Sequence, residues 1–153
     1  MKKRLQFHST IHASIEHVFD IMLGLTNKST YEQWTAEFNP TSTYEGTWEK
    51  GSKILFVGVD ENGEKGGLVS KIAEYTLNQY VSIQHCGLYK DGQEITEGPD
   101  VEKWANGFEN YIFQESNGIT SLVVELDTTE DFSDFMNETY PIALQKLKEI
   151  CEK

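Results

Sequence analysis

Chemistry in this chain has few places to start: four histidines, two cysteines and a broad aromatic inventory of eight Phe, seven Tyr and three Trp. His85 is the most suggestive. In the run 79–89, Val81, Ile83, His85 and Tyr89 fall on one side of an alternating strand, while Ser82, Gln84 and Cys86 fall on the other. An imidazole pointing inward among apolar side chains can anchor a ligand by hydrogen bonding, or accept a proton as a general base with a lowered pKa. The competing reading is a core histidine whose nitrogens are satisfied by tyrosine or backbone groups. The aromatics Trp34, Phe38, Trp48, Phe56, Trp104, Tyr111, Phe113 and Tyr140 would suit the wall of a cavity for an apolar or aromatic small molecule. They would equally suit plain core packing. Trp34 and Trp104 lie beside irregular segments that could rim an opening.

Other chemistries lack their residue patterns. His8 and His12 share a strand face about 13 Å apart, too far to hold one ion, and His17 belongs to the next element. No metal is expected, and no cofactor. Cys86 and Cys151 are 65 positions apart and form no Cys-x-x-Cys pair, which points to reduced structural thiols. Cys86 sits across the strand from His85, so no cysteine–histidine pair is set up, and no Ser–His–Asp constellation can be assigned.

The charge balance narrows the partners. With 13 Lys+Arg against 25 Asp+Glu, the net charge is -12, and Arg4 is the single arginine. A nucleic-acid binder needs a basic face to displace counterions from phosphates. A bidentate guanidinium clamp is available at one position only. The carboxylates gather in 91–102 and 130–138 and read as solvated surface, leaving the inward faces almost uncharged. No run of 18 apolar residues could span a membrane, and Leu5 to His12 alternates instead of forming the apolar core of a signal peptide. A cytoplasmic chain is expected, with no membrane insertion.

These residues must be positioned by a recognisable series of elements. Leu5, Phe7 and Ile11 mark a half-buried strand over 3–11. Ser14 caps a helix whose Ile15, Val18, Phe19, Met22 and Leu23 line one face, with Gly24 as its stop. A second short helix starts at Ser29 or Thr30 and runs through Trp34, before Asn39-Pro40. Strands follow at 43–48, 53–59, 67–75, 79–89, 108–115 and 119–127, separated by turns such as Asn62-Gly63 and Asn117-Gly118. The acidic segment 91–107 reads as an exposed loop with a short helix near Val101 to Ala105. Finally Phe132, Phe135, Met136, Ala143, Leu144, Leu147 and Ile150 form one apolar stripe on a long helix, capped by Thr128 or Thr129, with a kink or break expected at Pro141.

A length of 153 residues suits one domain over 1–153. The order strand, two short helices, antiparallel strands, long helix gives a two-layer α+β architecture in which about six strands curve around the C-terminal helix. Such a sheet gripping a helix can enclose a cavity between the two layers.

Several segments carry a family resemblance: Ala13-Ser14-Ile15-Glu16-His17-Val18-Phe19, Tyr31-Glu32-Gln33-Trp34, Gly46-Thr47-Trp48-Glu49-Lys50-Gly51-Ser52-Lys53-Ile54, Gly66-Gly67-Leu68-Val69, Trp104-Ala105-Asn106-Gly107-Phe108-Glu109-Asn110-Tyr111 and Tyr140-Pro141-Ile142-Ala143-Leu144. In their order and spacing over nearly the whole chain, they resemble the START and birch-pollen-allergen (SRPBCC) superfamily. More narrowly, the chain resembles small bacterial proteins similar to the C-terminal domain of the heat-shock-protein ATPase activator. The resemblance implies a helix-grip fold. Superfamily members include lipid and hormone carriers, cyclases, hydrolases and chaperone activators, so function by fold is analogy.

The expected function is therefore binding of an unidentified small apolar molecule between sheet and C-terminal helix. The expected cavity residues are Trp34, Phe38, Phe56, His85, Tyr89, Trp104, Tyr111, Met136 and Tyr140. A chaperone-associated interaction module is the alternative, and a cyclase or hydrolase using His85 as base a third reading. A homodimer is compatible with the architecture.

Overall fold

A computed structural model describes residues 2–102 and 105–153. The chain opens with β1 (Lys2–Ile11), α1 (Ile15–Leu23) and α2 (Lys28–Thr35). Next come β2 (Thr43–Gly46), β3 (Lys53–Val59), β4 (Lys65–Thr76), β5 (Tyr80–Lys90), β6 (Gln93–Ile95) and the single turn α3 (Pro99–Glu102). It closes with β7 (Gly107–Ser116), β8 (Ile119–Thr129) and α4 (Glu130–Cys151). The strands form one antiparallel sheet in the order β1-β8-β7-β5-β4-β3-β2, and α4 packs against β1, α1 and α2. This is the helix-grip α+β fold.

Local chemistry explains the entry helices. Ser14 accepts a hydrogen bond from the His17 amide, and Gly24 closes α1 in the left-handed conformation at φ 68°. The terminal carbonyls of a helix lack intrahelical partners, and here aromatic side chains supply them. Trp34 Nε1 donates to Met22 O at 2.9 Å, Trp48 Nε1 to Leu23 O at 3.1 Å, and the Tyr44 hydroxyl to Leu23 O at 2.9 Å. Each ring buries its area in the core while its polar atom caps α1.

The concave face of the sheet is apolar: Val81, Ile83, Tyr111, Phe113, Leu122 and Val124 are all buried and belong to one cluster with α1 and the end of α4. The opposite face carries a polar pair, Ser82 Oγ donating to Asn110 Oδ1 at 2.6 Å.

Four expectations change. Residues 91–107 are not wholly loop: Gln93–Ile95 pairs with Leu88–Lys90 along the edge of β5 that β7 leaves free, and the helical turn falls at Pro99–Glu102. The strand is short and both Gln93 and Glu94 are exposed, so no alternation announces it. Its backbone comes close enough that a Cβ on Gly87 would lie 2.4 Å from Ile95 O.

Pro141 does not break α4, which runs unbroken from Glu130 to Cys151. Its missing amide would have bonded the Asn137 carbonyl, and both residues lie on the exposed side, where solvent can satisfy that carbonyl. The predicted cap is also altered, since Thr129 takes the N-cap position but makes no side-chain capping bond.

The apolar stripe of α4 is buried only in its second half. Tyr140, Ala143, Leu144, Leu147 and Cys151 are buried, whereas Phe132 is 57% and Phe135 46% exposed. The first half of the helix overhangs an opening instead of a filled core.

Candidate functional site

The opening lies between the overhanging half of α4 and the middle of the sheet. It consists of two adjoining lobes that share Leu68, His85, Glu109 and Met136. One lobe, of about 240 Å³, is walled chiefly by Leu88, Leu126, Thr129 and Phe132. The other, of about 190 Å³, is aromatic, with Tyr31, Trp34, Phe38, Phe56, Tyr111 and Tyr140 around it.

At the junction stands a buried polar network. His85 Nδ1 is 2.7 Å from Ser70 Oγ, and its Nε2 is 3.1 Å from Glu109 Oε1. The other carboxylate oxygen, Oε2, accepts from the Tyr140 hydroxyl and more distantly, at 3.5 Å, from the Tyr111 hydroxyl. Phe56 meets the His85 ring edge-on at 6.2 Å. Tyr140 is itself held by Phe7, stacked at 4.9 Å, and by Phe38 at 5.1 Å.

Strand geometry creates this cluster. Glu109, Tyr111 and Phe113 share one face of β7, and Glu109 lies opposite Ile83, one pleat along from His85. Ser70 pairs with His85 in register across β4 and β5. Tyr140 comes down from α4.

The electrostatics follow from burial against pairing. Burial opposes ionisation of Glu109, yet the hydrogen bond and charge of His85, with the Tyr140 and Tyr111 donors, hold its carboxyl below the usual value of 4.5. Burial, then the Glu109 charge, push both tyrosines well above 10.0, so they remain donors. Glu109 is thus a carboxylate at neutral pH.

Ser70, His85 and Glu109 superficially resemble a serine–histidine–acid relay. Two facts argue for a positioning role. Ser70 is 1% exposed and lines neither lobe, so its oxygen cannot meet a substrate there. Both imidazole nitrogens are occupied, so His85 presents no unpaired nitrogen to the lobes.

Of the sequence-predicted cavity residues, Trp34, Phe38, Phe56, His85, Tyr111, Met136 and Tyr140 border the lobes. Tyr89 does not. Lys65 Nζ lies over its ring at 5.6 Å, and Leu88 lines the cavity in its stead. The cause is a register shift: Ser70 faces His85 but Val69 faces Gly87, so Cys86 is an extra residue that reverses the alternation beyond it. Trp104 lies outside the described residues. Trp48 and Phe113 sit in the core and border neither lobe.

Sequence reasoning missed Glu109, and with it the charge at the centre of the inward face. Its parity with Tyr111 and Phe113 was the available signal. Arg4, the one arginine, is already committed, with Nε 2.7 Å and Nη2 3.0 Å from the two carboxylate oxygens of Asp127. Among the described residues no group of three or more His, Cys, Asp or Glu side chains could hold a metal ion, and none of the helices searched is long and apolar enough to cross a membrane. A wider groove of about 1090 Å³ runs beside the 116–119 turn, but it is open, and its Glu115 carboxylate is bonded to the Ile15 amide.

The helix-grip fold defines the class of structure to which this chain is similar. The Aha1 dimer from Colwellia psychrerythraea matches with a TM-score of 0.70 at 22% identity, covering 98% of this chain and 96% of that one. Mll3558 from Rhizobium loti has a TM-score of 0.70 at 12% identity, with 97% and 96% covered. CalU16 from Micromonospora echinospora has a TM-score of 0.65 at 14% identity, with 97% and 74% covered. At these identities the likeness is one of fold. No protein-family model matches the chain, and no curated protein matches it in sequence.

Proposed function

We propose that this chain is a single helix-grip domain over 1–153 that binds a small apolar molecule between its sheet and the first half of α4. The supporting observation is the pair of lobes meeting at His85 and Glu109, walled by leucine and aromatic side chains and bordered by the exposed Phe132 and Phe135. Well-packed interiors have few voids larger than a water molecule. Two adjoining ones, mostly apolar with a few polar groups converging on their junction, have the composition of a ligand site.

The test is a thermal-shift screen with lipids, sterols and small aromatic compounds, followed by NMR titration of the hits. A guest at 100 times its Kd should add about 2.7 kcal/mol to stability. Met136→Trp, which fills the junction, should abolish the shift. A screen in which no compound raises Tm, or in which Met136→Trp leaves every hit unaffected, rejects the site.

A second reading, an interaction module, draws on the exposed Phe132, Phe135 and Ile142 of α4 and on the fold shared with Aha1. A chaperone ATPase assay with excess protein tests it. Unchanged turnover removes it.

A further inference from the structure

We infer that the guest is a small neutral alcohol or phenol, seated with its hydroxyl donating to Glu109 and its apolar body in the leucine-walled lobe, and that carboxylate-bearing molecules are excluded. This rests on the binding reading above and adds the chemical class.

Most polar side chains at the cavity are already committed. Both His85 nitrogens are taken, by Ser70 and Glu109. Tyr140 and Tyr111 spend their protons on Glu109 Oε2. Thr35 Oγ1 donates to Tyr31 O at 2.7 Å, and Asp127 accepts from Arg4 and from the Phe108 amide. A carboxylate has about four acceptor sites. Glu109 uses three, and the remaining one is on Oε1, at the junction of the lobes.

Glu109 therefore offers an acceptor and asks for a donor. No lysine or arginine borders either lobe among the described residues, and the one imidazole there, His85, is already paired with Glu109. A second carboxylate would instead meet Glu109 in a poorly solvated space, and like charges so placed are strongly disfavoured.

A second observation is independent of Glu109. Thr129 borders the leucine-walled lobe and is 6% exposed, yet its Oγ1 is buried with no hydrogen-bond partner, the one such side-chain atom among the described residues. It is not capping α4 either. Buried hydroxyls are almost always satisfied. A guest oxygen in this lobe can provide the missing partner after rotation about the Thr129 χ1.

Size sets the scale. An engineered apolar cavity of about 150 Å³ takes up benzene, so a lobe of about 240 Å³ accommodates one ring with a short substituent.

Four probes of one shape separate the possibilities: 4-propylphenol, its methyl ether 4-propylanisole, propylbenzene and 4-propylbenzoate, titrated by calorimetry and NMR. The phenol should bind about tenfold more tightly than the ether and the hydrocarbon, and the benzoate should not bind measurably. In Glu109→Gln the phenol's advantage should shrink to about threefold or less, because a neutral amide is a weaker acceptor. Should that variant fail to fold, the Glu109 carboxyl ¹³C resonance of the unmodified protein decides. It should move with the phenol and not with propylbenzene.

Equal binding of phenol and hydrocarbon overturns the donor inference while the cavity reading stands. Binding of the benzoate, or tighter binding of the cationic 4-propylbenzylamine than of the phenol, overturns the neutral class. If none of the five binds, the cavity reading falls as well.

Discussion

Replacing Tyr140 with phenylalanine isolates one hydrogen bond at the centre of the site. The ring keeps its stack on Phe7 at 4.9 Å and its edge contact with Phe38 at 5.1 Å. What disappears is the hydroxyl that donates to the Glu109 carboxylate. A hydrogen bond to a charged group contributes about 1.5–3 kcal/mol. For a chain of this length each kcal/mol moves Tm by roughly 2–4 °C, so Tyr140→Phe should lower it by about 3–12 °C.

The pH dependence gives the stronger test. Pairing holds the Glu109 carboxyl below 4.5 in the folded protein, so its stabilisation is complete above pH 4.5 and is lost as pH falls through the folded pKa. Without the tyrosine donor that pKa moves back upward. The gap between wild type and Tyr140→Phe should be full at pH 7 and narrow in acid, once Glu109 is protonated in both proteins. Urea unfolding across pH 3–8 measures it. In a Glu109→Gln background the same tyrosine change should cost about 0.5–1.5 kcal/mol, the range for a neutral pair. A gap under about 0.5 kcal/mol at neutral pH, or one that does not change with pH, would refute the idea that Tyr140 supports an ionised Glu109.

Thr129→Val removes the orphan hydroxyl while keeping the β-branched shape, so the ligand-free protein should be unchanged or up to about 1 kcal/mol more stable; a loss larger than that in thermal unfolding would show the hydroxyl has a partner. Gly67→Ala should destabilise the protein by about 1–3 kcal/mol, since its Cβ would lie 1.8 Å from Phe56 O on the neighbouring strand; a wild-type melting curve would contradict that geometry. Burial pushes the Cys151 thiol up to about 12 and raises Cys86 as well, so alkylation near pH 7 should be slow at both and slower at Cys151, as followed by mass spectrometry; rapid Cys151 modification in the folded state would contradict its burial.

Segments with one buried side were legible in the amino-acid sequence because that side leaves a run of apolar residues bounded by turn signals in a strand and a three-to-four-residue period in a helix. Strand β3 and helix α1 fall where their patterns place them, and so does the run into α4. The misses have local causes. Gln93–Ile95 is too short and too exposed to show a pattern. Tyr89 was assigned inward by extrapolating parity through Cys86, and a bulge leaves no mark in residue type. Phe132 and Phe135 were read as part of one apolar stripe because an apolar residue at a cavity mouth is indistinguishable in sequence from one beneath it. Glu109 was not singled out, since its partners His85 on β5 and Tyr140 on α4 lie 24 and 31 positions away.

The extra residue in β5 bears on how such a pocket could diversify. Because Cys86 reverses the alternation of the strand beyond it, the cavity is faced by Leu88 while Tyr89 turns away. Deleting Cys86 would only remove the bulge and leave both side chains as they are, whereas a one-residue slip against β4 that closes the bulge with Cys86 retained would exchange them, replacing a hydrocarbon wall with a phenol. Substitution explores a binding site one side chain at a time. A one-residue slip of register turns over the whole segment beyond it, so among relatives of this fold the pairing register of this strand past the bulge should track guest polarity more closely than the identity of any single lining residue.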